Sequence, residues 1–112
     1  MSNASEMDSN EAPSASANPD PARAIRVVVH GKVQRVTFRE SCRRVADVHA
    51  VRGFVRNLSD GTVEAVFEGH PDAVDTLVEW CHAGPERAVV ARVEVIESSP
   101  IGATGFEVRE TI

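Results

Sequence analysis

The order in which the hydrophobic period changes along the chain constrains its fold more than any other feature. "AIRVVVH", at positions 24–30, alternates apolar and polar residues at period two, which is typical of a half-buried strand. From Phe38 the apolar residues recur at helical spacing, and they do so again after Pro71, a residue that suits the first turn of a helix. Further alternating runs lie at 51–57, 62–69, 88–97 and 105–110. The predicted order is therefore β-α-β-β-α-β plus a short final strand.

This order predicts an α+β fold, a ferredoxin-like two-layer α/β sandwich with an antiparallel sheet and two helices on one face. Residues of the same phase in each element are expected to meet in the core. In the strands they are Ile25, Val27, Val29, Val51, Gly53, Val55, Val63, Ala65, Phe67, Val89, Ala91, Val93, Val95, Phe106 and Val108; in the helices, Phe38, Cys42, Val45, Ala46, His49, Val74, Leu77, Val78 and Cys81. Thr62, Glu64 and Glu68 are expected on the opposite face of the sheet. This topology does not by itself reveal a function.

The length and the composition together indicate one domain with a tail. A chain of 112 residues suits a single domain. Its first 22 residues are mainly Ser, Asn, Ala, Pro and acidic residues, which cannot bury enough apolar surface to offset the entropy of ordering. We therefore expect a disordered N-terminal tail over 1–22 and a folded domain over 23–112.

The charge of the chain is distributed unevenly. The net charge is -5, which argues against nucleic acid or an anionic membrane as the main partner. An RNA-recognition domain shares the predicted order but needs stacking aromatic residues, and the central strands offer only Phe67. Residues 23–56 nevertheless hold nine basic side chains against two acidic ones, so a small anion remains a suitable ligand.

The remaining compositional signals concern metals and location. Cys42 and Cys81 form no C-x-x-C pair and fall on apolar helix faces, so buried thiols are expected and no metal site. The chain has neither a signal-peptide core nor an apolar run of membrane length. We expect a cytoplasmic monomer.

The stretch "HGKVQRVTFRES", His30 to Ser41, carries three basic residues where a strand passes into a helix. The first N–H groups of such a helix lack partners and, with the helix dipole, favour an anion at the turn. Arg39 could add a planar fork that binds two phosphate oxygens. The alternative is a solvated connector in which Arg39 pairs with Glu40 or with a distant acidic residue.

A second candidate is Asn57, at the end of the second strand and just before the hairpin signal "LSDG". An Asn in this place commonly forms a turn by hydrogen bonding to its own backbone. Alternatively, its uncharged carboxamide could position a water molecule, because it offers both an acceptor and donors. The residue alone does not decide between these roles.

Three blocks of the chain, "VHGKVQRVTFRE", "VRGFVRNLSDGTVEAVFEG" and "AGPERAVVARVEV", resemble the acylphosphatase family in order and spacing. The resemblance runs from about residue 24 to residue 110. It implies hydrolysis of acyl phosphates to a carboxylate and inorganic phosphate, with no metal or organic cofactor and with phosphate as product and inhibitor. By the same resemblance, Arg39 binds the phosphate and Asn57 orients the attacking water. The loop whose N–H groups assist Arg39 consists of Gln34, Arg35, Val36, Thr37 and Phe38.

The chain departs from the family pattern at Arg35, where the family has a glycine, and Thr37 fills a variable position. If the φ angle at Arg35 is positive, arginine costs roughly 1–2 kcal/mol there. If φ is ordinary, Arg35 could place a second cation near the pocket. Two hypotheses follow: an acylphosphatase with altered efficiency, or a weakened or inactive module that binds a phosphate-bearing ligand.

Overall fold

The computed structural model describes residues 22–112, so the predicted tail lies outside the described residues except for its last position. The predicted order of elements is confirmed. The elements are β1 (Arg23–Lys32), α1 (Phe38–Val48), β2 (Arg52–Asn57), β3 (Val63–Gly69), α2 (Pro71–Cys81), β4 (Val89–Ser98) and β5 (Phe106–Val108).

The five strands form one sheet in the order β4-β1-β3-β2-β5. The first four strands pair antiparallel, but β5 pairs parallel to β2, with Phe106 opposite Gly53. The prediction of a wholly antiparallel sheet is therefore wrong for β5. The physical reason lies in the connection after β4, where residues 101–103 donate backbone N–H groups to Glu68 near the end of β3. The chain thus passes along that end of the sheet and enters β5 in the direction of β2.

The core lies between one face of the sheet and the two helices, as predicted. Its largest fully buried side chains come from both layers: Phe38, Phe67, Ile25, Leu77, Val27, Val29, Val33, Val55, Val63, Val74, Cys42 and Cys81. The Phe38 ring packs against Trp80, with 5.1 Å between the ring centroids. Because Phe38 is the first residue of α1, this contact fixes where the helix begins relative to the sheet.

The predicted core phase of β4 is wrong at several positions. Val89, Ala91 and Val95 are exposed, whereas Val93 packs against the core as predicted and Val90, which was not predicted, does so too. Two causes act together: β4 is an edge strand, and its register with β1 shifts between His30 and Gly31. A shift of one residue exchanges the two faces of a strand.

Two smaller expectations also fail. His49 is exposed because α1 ends at Val48, and His49 caps the helix instead of extending its buried stripe. Val108 is 40% exposed, whereas Phe106 is half-buried and stacks on Phe67 with 5.9 Å between centroids.

The face of the sheet opposite the helices is closed off from water by long side chains. The arginines Arg56 and Arg109 lie over the Phe54 ring, with the guanidinium carbon of Arg109 3.9 Å from the ring centroid. Glu64 is only 5% exposed, and it accepts hydrogen bonds from Arg26 and Arg56 at 2.5 and 2.6 Å. This face is therefore a second, partly ionic layer of the interior.

Candidate active site

The turn between β1 and α1 has an unusual backbone. Arg35 and Thr37 both adopt positive φ, 62° and 60°, a region that non-glycine residues and especially β-branched ones avoid. None of the backbone hydrogen bonds in residues 22–112 uses the N–H of Arg35, Val36, Thr37 or Phe38. Successive N–H groups in such an alternating conformation form a concave site for an anion. The dipole of α1, which begins at Phe38, adds to the same attraction.

This turn borders a cavity of about 250 Å³. Its walls come from the turn, the first turn of α1, the end of β2 and the last strand: Val33, Arg35, Thr37, Phe38, Arg39, Glu40, Asn57 and Val108. The fold therefore brings Arg39 and Asn57, which are 18 positions apart in the sequence, to one cavity. Val36 does not line it, because its side chain is 7% exposed and belongs to the hydrophobic core.

The predicted residue Gln34 connects the turn to the β2–β3 hairpin. Its Nε2 donates to the backbone oxygens of Leu58 and Thr62 at 2.8 and 2.9 Å. Asn57 immediately precedes this hairpin. The side chain of Gln34 thus fixes the distance between the anion-binding turn and the residue predicted to hold water.

Asn57 is not the side chain that shapes the hairpin turn. Asp60 has that role, since its Oδ1 accepts from both the N–H and the hydroxyl of Thr62 at 3.0 and 2.6 Å. No hydrogen bond of the described part of the chain uses the Asn57 carboxamide. Its donors and acceptor are therefore available to a ligand or water in the cavity.

Sequence reasoning missed the part that the C-terminal segment plays. Arg39 Nη1 donates to the backbone oxygen of Arg109 at 3.1 Å, and the N–H of Arg109 in turn donates to Val55 O on β2 at 2.9 Å. The N–H of Ile112 donates to the backbone oxygen of Asn57 at 3.2 Å. These contacts use backbone atoms, so no side-chain pattern in the sequence could have indicated them.

The cavity carries an excess of positive charge. Its one acidic side chain, Glu40, pairs with Arg43 on the next turn of α1. The hydrogen bond from Arg43 keeps the pKa of Glu40 below its ordinary value, so Glu40 stays ionised and occupied with that partner. Within residues 22–112, no carboxylate pairs with Arg35 or Arg39. The predicted pairing of Arg39 with Glu40 is thus absent from this structure.

The arrangement can bind a small anion and hold a polar molecule next to it. Backbone N–H groups and a guanidinium can surround a phosphate without any side-chain base. The uncharged carboxamide of Asn57 on the same cavity can accept a hydrogen bond from water through its oxygen and donate one to a phosphate oxygen through its nitrogen. Apolar Val33 and Val108 leave room for a non-ionic part of a ligand.

The cysteines take no part in this cavity. Cys42 and Cys81 are free and buried, and removal from water raises the pKa of both thiols, to about 12 for Cys81. Among the described residues, no group of three or more His, Cys, Asp and Glu side chains is placed to hold a metal ion. No helix of residues 22–112 is long and apolar enough to cross a membrane.

Comparison with known proteins assigns a family to this fold and site. Residues 25–108 match the family described as Acylphosphatase. The chain is 57% identical over 88 residues to an acylphosphatase of Rubrobacter xylanophilus, covering 78% of this chain and 80% of the relative, and 53% identical over 83 residues to one of Haloquadratum walsbyi, covering 74% and 89%. The solved acylphosphatase of Coxiella burnetii superposes with a TM-score of 0.76 at 42% identity, covering 79% of this chain and 93% of that one. The chain therefore belongs to the acylphosphatase family.

Proposed function

We propose that this protein hydrolyses acyl phosphates in the cavity between the β1–α1 turn and Asn57. One observation carries the proposal: a single cavity gathers unpaired backbone N–H groups, a guanidinium without a carboxylate partner, and a carboxamide without a partner among residues 22–112. Family membership favours a working enzyme over an inactive binding module.

The phosphate of the substrate occupies the concave turn. The N–H groups of residues 35–38 donate to its oxygens, and Arg39 supplies a charge-assisted hydrogen bond from its planar fork. Because Arg39 is already oriented by the carbonyl of Arg109, less side-chain entropy is lost when the substrate binds. These donors also stabilise the charge on the equatorial oxygens as the phosphoryl group transfers.

Asn57 orients the water that attacks phosphorus. The bond from the water oxygen to phosphorus forms while the bond from phosphorus to the carboxyl oxygen breaks, and the electron pair of that bond leaves with the carboxylate. The proton of the water passes to an oxygen of the phosphate itself. A carboxylate is a weak base and leaves without a general acid, so positioning and charge stabilisation supply most of the rate.

Three finer statements belong to the same proposal. Inorganic phosphate, the product, competes with the substrate for the turn. The enzyme acts as a monomer, the simplest state for a single domain of this size. It works in the cytoplasm, a reducing compartment in which the buried thiols of Cys42 and Cys81 stay free.

The test is the hydrolysis of benzoyl phosphate by the purified full chain in the presence of EDTA. Arg39→Ala is expected to lower kcat/KM by about 10²–10³-fold and to weaken inhibition by phosphate. Asn57→Ala is expected to lower kcat by about 10²-fold while KM stays near its original value, because the water is needed in the transition state and not for binding. Arg87→Ala, which removes an exposed arginine outside the cavity wall, is the matched control.

Two results would overturn the proposal. Turnover that survives Arg39→Ala would place the reaction elsewhere. Binding of phosphate without any hydrolysis by the unmodified protein would identify a binding module. Elution of the full chain as a dimer, with light scattering to give the mass, would contradict the monomer.

A further inference from the structure

Arg35 contributes a charge that the phosphate site does not need. Its backbone N–H belongs to the concave turn, but its side chain is exposed and lines the cavity. No ion pair or hydrogen bond of residues 22–112 involves its guanidinium. By contrast, Arg26, Arg43 and Arg56 each pair with a carboxylate.

The backbone at Arg35 makes this free charge more informative. A φ of 62° costs a non-glycine residue roughly 1–2 kcal/mol, which a glycine would avoid. A strained residue at a binding site is grounds for a functional hypothesis. The turn imposes this cost on any non-glycine residue at position 35, and nothing in the described fold is stabilised by the guanidinium, so a contact with a ligand would account for arginine here.

The phosphate that is transferred already has its donors. The N–H groups of the turn and the fork of Arg39 surround it, and the start of α1 adds its dipole. The acyl part of the substrate must extend from this phosphate toward the open side of the cavity. An exposed guanidinium on the cavity wall is then placed to meet the acyl part.

We propose that Arg35 is a specificity-determining residue that selects acyl phosphates whose acyl part carries a second anionic group. The inference rests on the proposed function of the same cavity. Apolar Val33 and Val108 line the remaining wall and can contact the methylene groups that separate the two anions. Glu40 does not cancel the attraction between Arg35 and a second anionic group, because the Glu40 carboxylate is already paired with Arg43.

The expected selectivity is moderate because Arg35 is exposed. Ion pairs in contact with water contribute little and weaken as salt screens them. The contribution should therefore correspond to a preference of about threefold to fivefold, and it should decrease with ionic strength.

The experiment compares succinyl phosphate with butyryl phosphate, which have the same number of carbons and differ by the terminal carboxylate. The quantity measured is the ratio of kcat/KM for the two substrates, because the amount of folded enzyme cancels in that ratio. Arg35→Ala should lower the ratio by about threefold to fivefold, Arg35→Glu should lower it further, and Arg35→Lys should retain most of it. Arg87→Glu, which changes the net charge as Arg35→Glu does, is the control and should leave the ratio within about twofold.

The outcomes separate this inference from the proposed function. Equal ratios in the unmodified protein, Arg35→Ala and Arg35→Glu would overturn the role of Arg35 and leave the hydrolase intact. An equal fall in Arg87→Glu and Arg35→Glu would also overturn it, since the effect would come from overall charge. Hydrolysis of neither substrate by the unmodified protein would overturn both statements.

Discussion

The guanidinium of Arg39 and the backbone carbonyl of Arg109 are joined by a hydrogen bond of 3.1 Å, so the C-terminal segment orients the residue that we propose binds the phosphate. Arg109 is itself held to β2 through its own N–H, which donates to Val55 O. The position of Arg39 thus depends on a backbone contact made 70 residues further along the chain.

Replacing the residue that makes this contact should distinguish its backbone from its side chain. Arg109→Pro removes the N–H that holds the segment to β2, and the carbonyl is then free to move away from Arg39. We expect kcat/KM for benzoyl phosphate to fall by about tenfold, the loss expected when a hydrogen bond to a charged group is weakened. Arg109→Ala keeps both backbone groups and should retain activity, losing only about 0.5–1 kcal/mol of stability from the contact with the Phe54 ring. Equal activities in the two variants would contradict this account.

A second prediction concerns Gln34, whose side chain donates hydrogen bonds to Leu58 O and Thr62 O in the β2–β3 hairpin. Gln34→Met preserves the size of the side chain but removes both donors. The free energy of unfolding should fall by about 1–2 kcal/mol, the value of two net hydrogen bonds, because both carbonyls retain other backbone partners. The rate constant kcat should fall as well, since the turn and Asn57 are no longer held together. Urea unfolding and initial rates would check both parts, and a variant less stable but equally active would show that Gln34 only supports the fold.

The fold was predicted correctly for the elements in which a hydrophobic period extends over many residues. Alternation in β1 and β3 and the helical stripes of α1 and α2 fixed their inward faces because many residues contribute to each pattern. The direction of β5 could not be predicted in this way, since three residues carry no information about parallel or antiparallel pairing. The face of β4 was misplaced in part because the consecutive β1 residues His30 and Gly31 pair with Arg92 and Val90, so the inward phase changes within β4 at the skipped Ala91.

The site was predicted only in part, because some of its contacts depend on side-chain types and others on backbone atoms. Side-chain types and the family resemblance pointed to Arg39 and Asn57, and the fold does bring both to one cavity. Contacts that use backbone atoms, as at Arg109, have no sequence signature. Glu64 and Glu68 were placed on the opposite face, and that face is buried under arginines and the segment 101–103.

A third prediction tests the strain in the anion-binding turn. Arg35 has φ of 62°, and glycine adopts this region without the clash of a Cβ. Arg35→Gly should therefore be more stable than Arg35→Ala by about 1 kcal/mol, after the greater freedom of glycine in the unfolded chain is counted. Both variants lack the guanidinium, so their difference reports the backbone alone. Equal midpoints in urea at equal m-values would mean that the turn relaxes and stores no strain.

A fourth prediction concerns Gly84, which lies under the Phe38 ring. A Cβ at this position would come within 2.9 Å of that ring and 3.2 Å of the Ala88 Cβ, and φ is +68°. Gly84→Ala should cost about 2–4 kcal/mol, from overpacking added to the unfavourable φ, and should displace Phe38 at the start of α1. Trp80, which packs on Phe38, should report the change in its fluorescence.

Gly102→Ala is the matched control for this substitution. Gly102 also has a positive φ, +73°, but no atom lies within 4 Å of a Cβ built there. It should cost only the backbone term, about 1 kcal/mol, and leave the Trp80 emission as it is. If both alanine variants lose the same stability, the contact with Phe38 is not what requires glycine at position 84.

The last prediction concerns pH. Burial of Glu64 raises its pKa, but the hydrogen bonds from Arg26 and Arg56 outweigh burial, and the pKa lies below the ordinary value of 4.5. A carboxyl group with a lowered pKa in the folded state stabilises the protein above the pKa of the unfolded chain. That contribution is lost as the pH falls through the folded value. The free energy of unfolding should therefore decline below about pH 4.5 as Glu64 takes up a proton.

Glu64→Gln isolates this contribution, because glutamine keeps the shape and cannot ionise. The variant should be less stable than the unmodified protein by about 1–3 kcal/mol at neutral pH, since Arg26 and Arg56 lose their common carboxylate. The difference should narrow as the pH is lowered through the folded pKa, because protonated Glu64 resembles glutamine in charge. Urea unfolding at a series of pH values gives both curves. A difference that stays constant down to the lowest pH would show that Glu64 acts through packing and not through its charge.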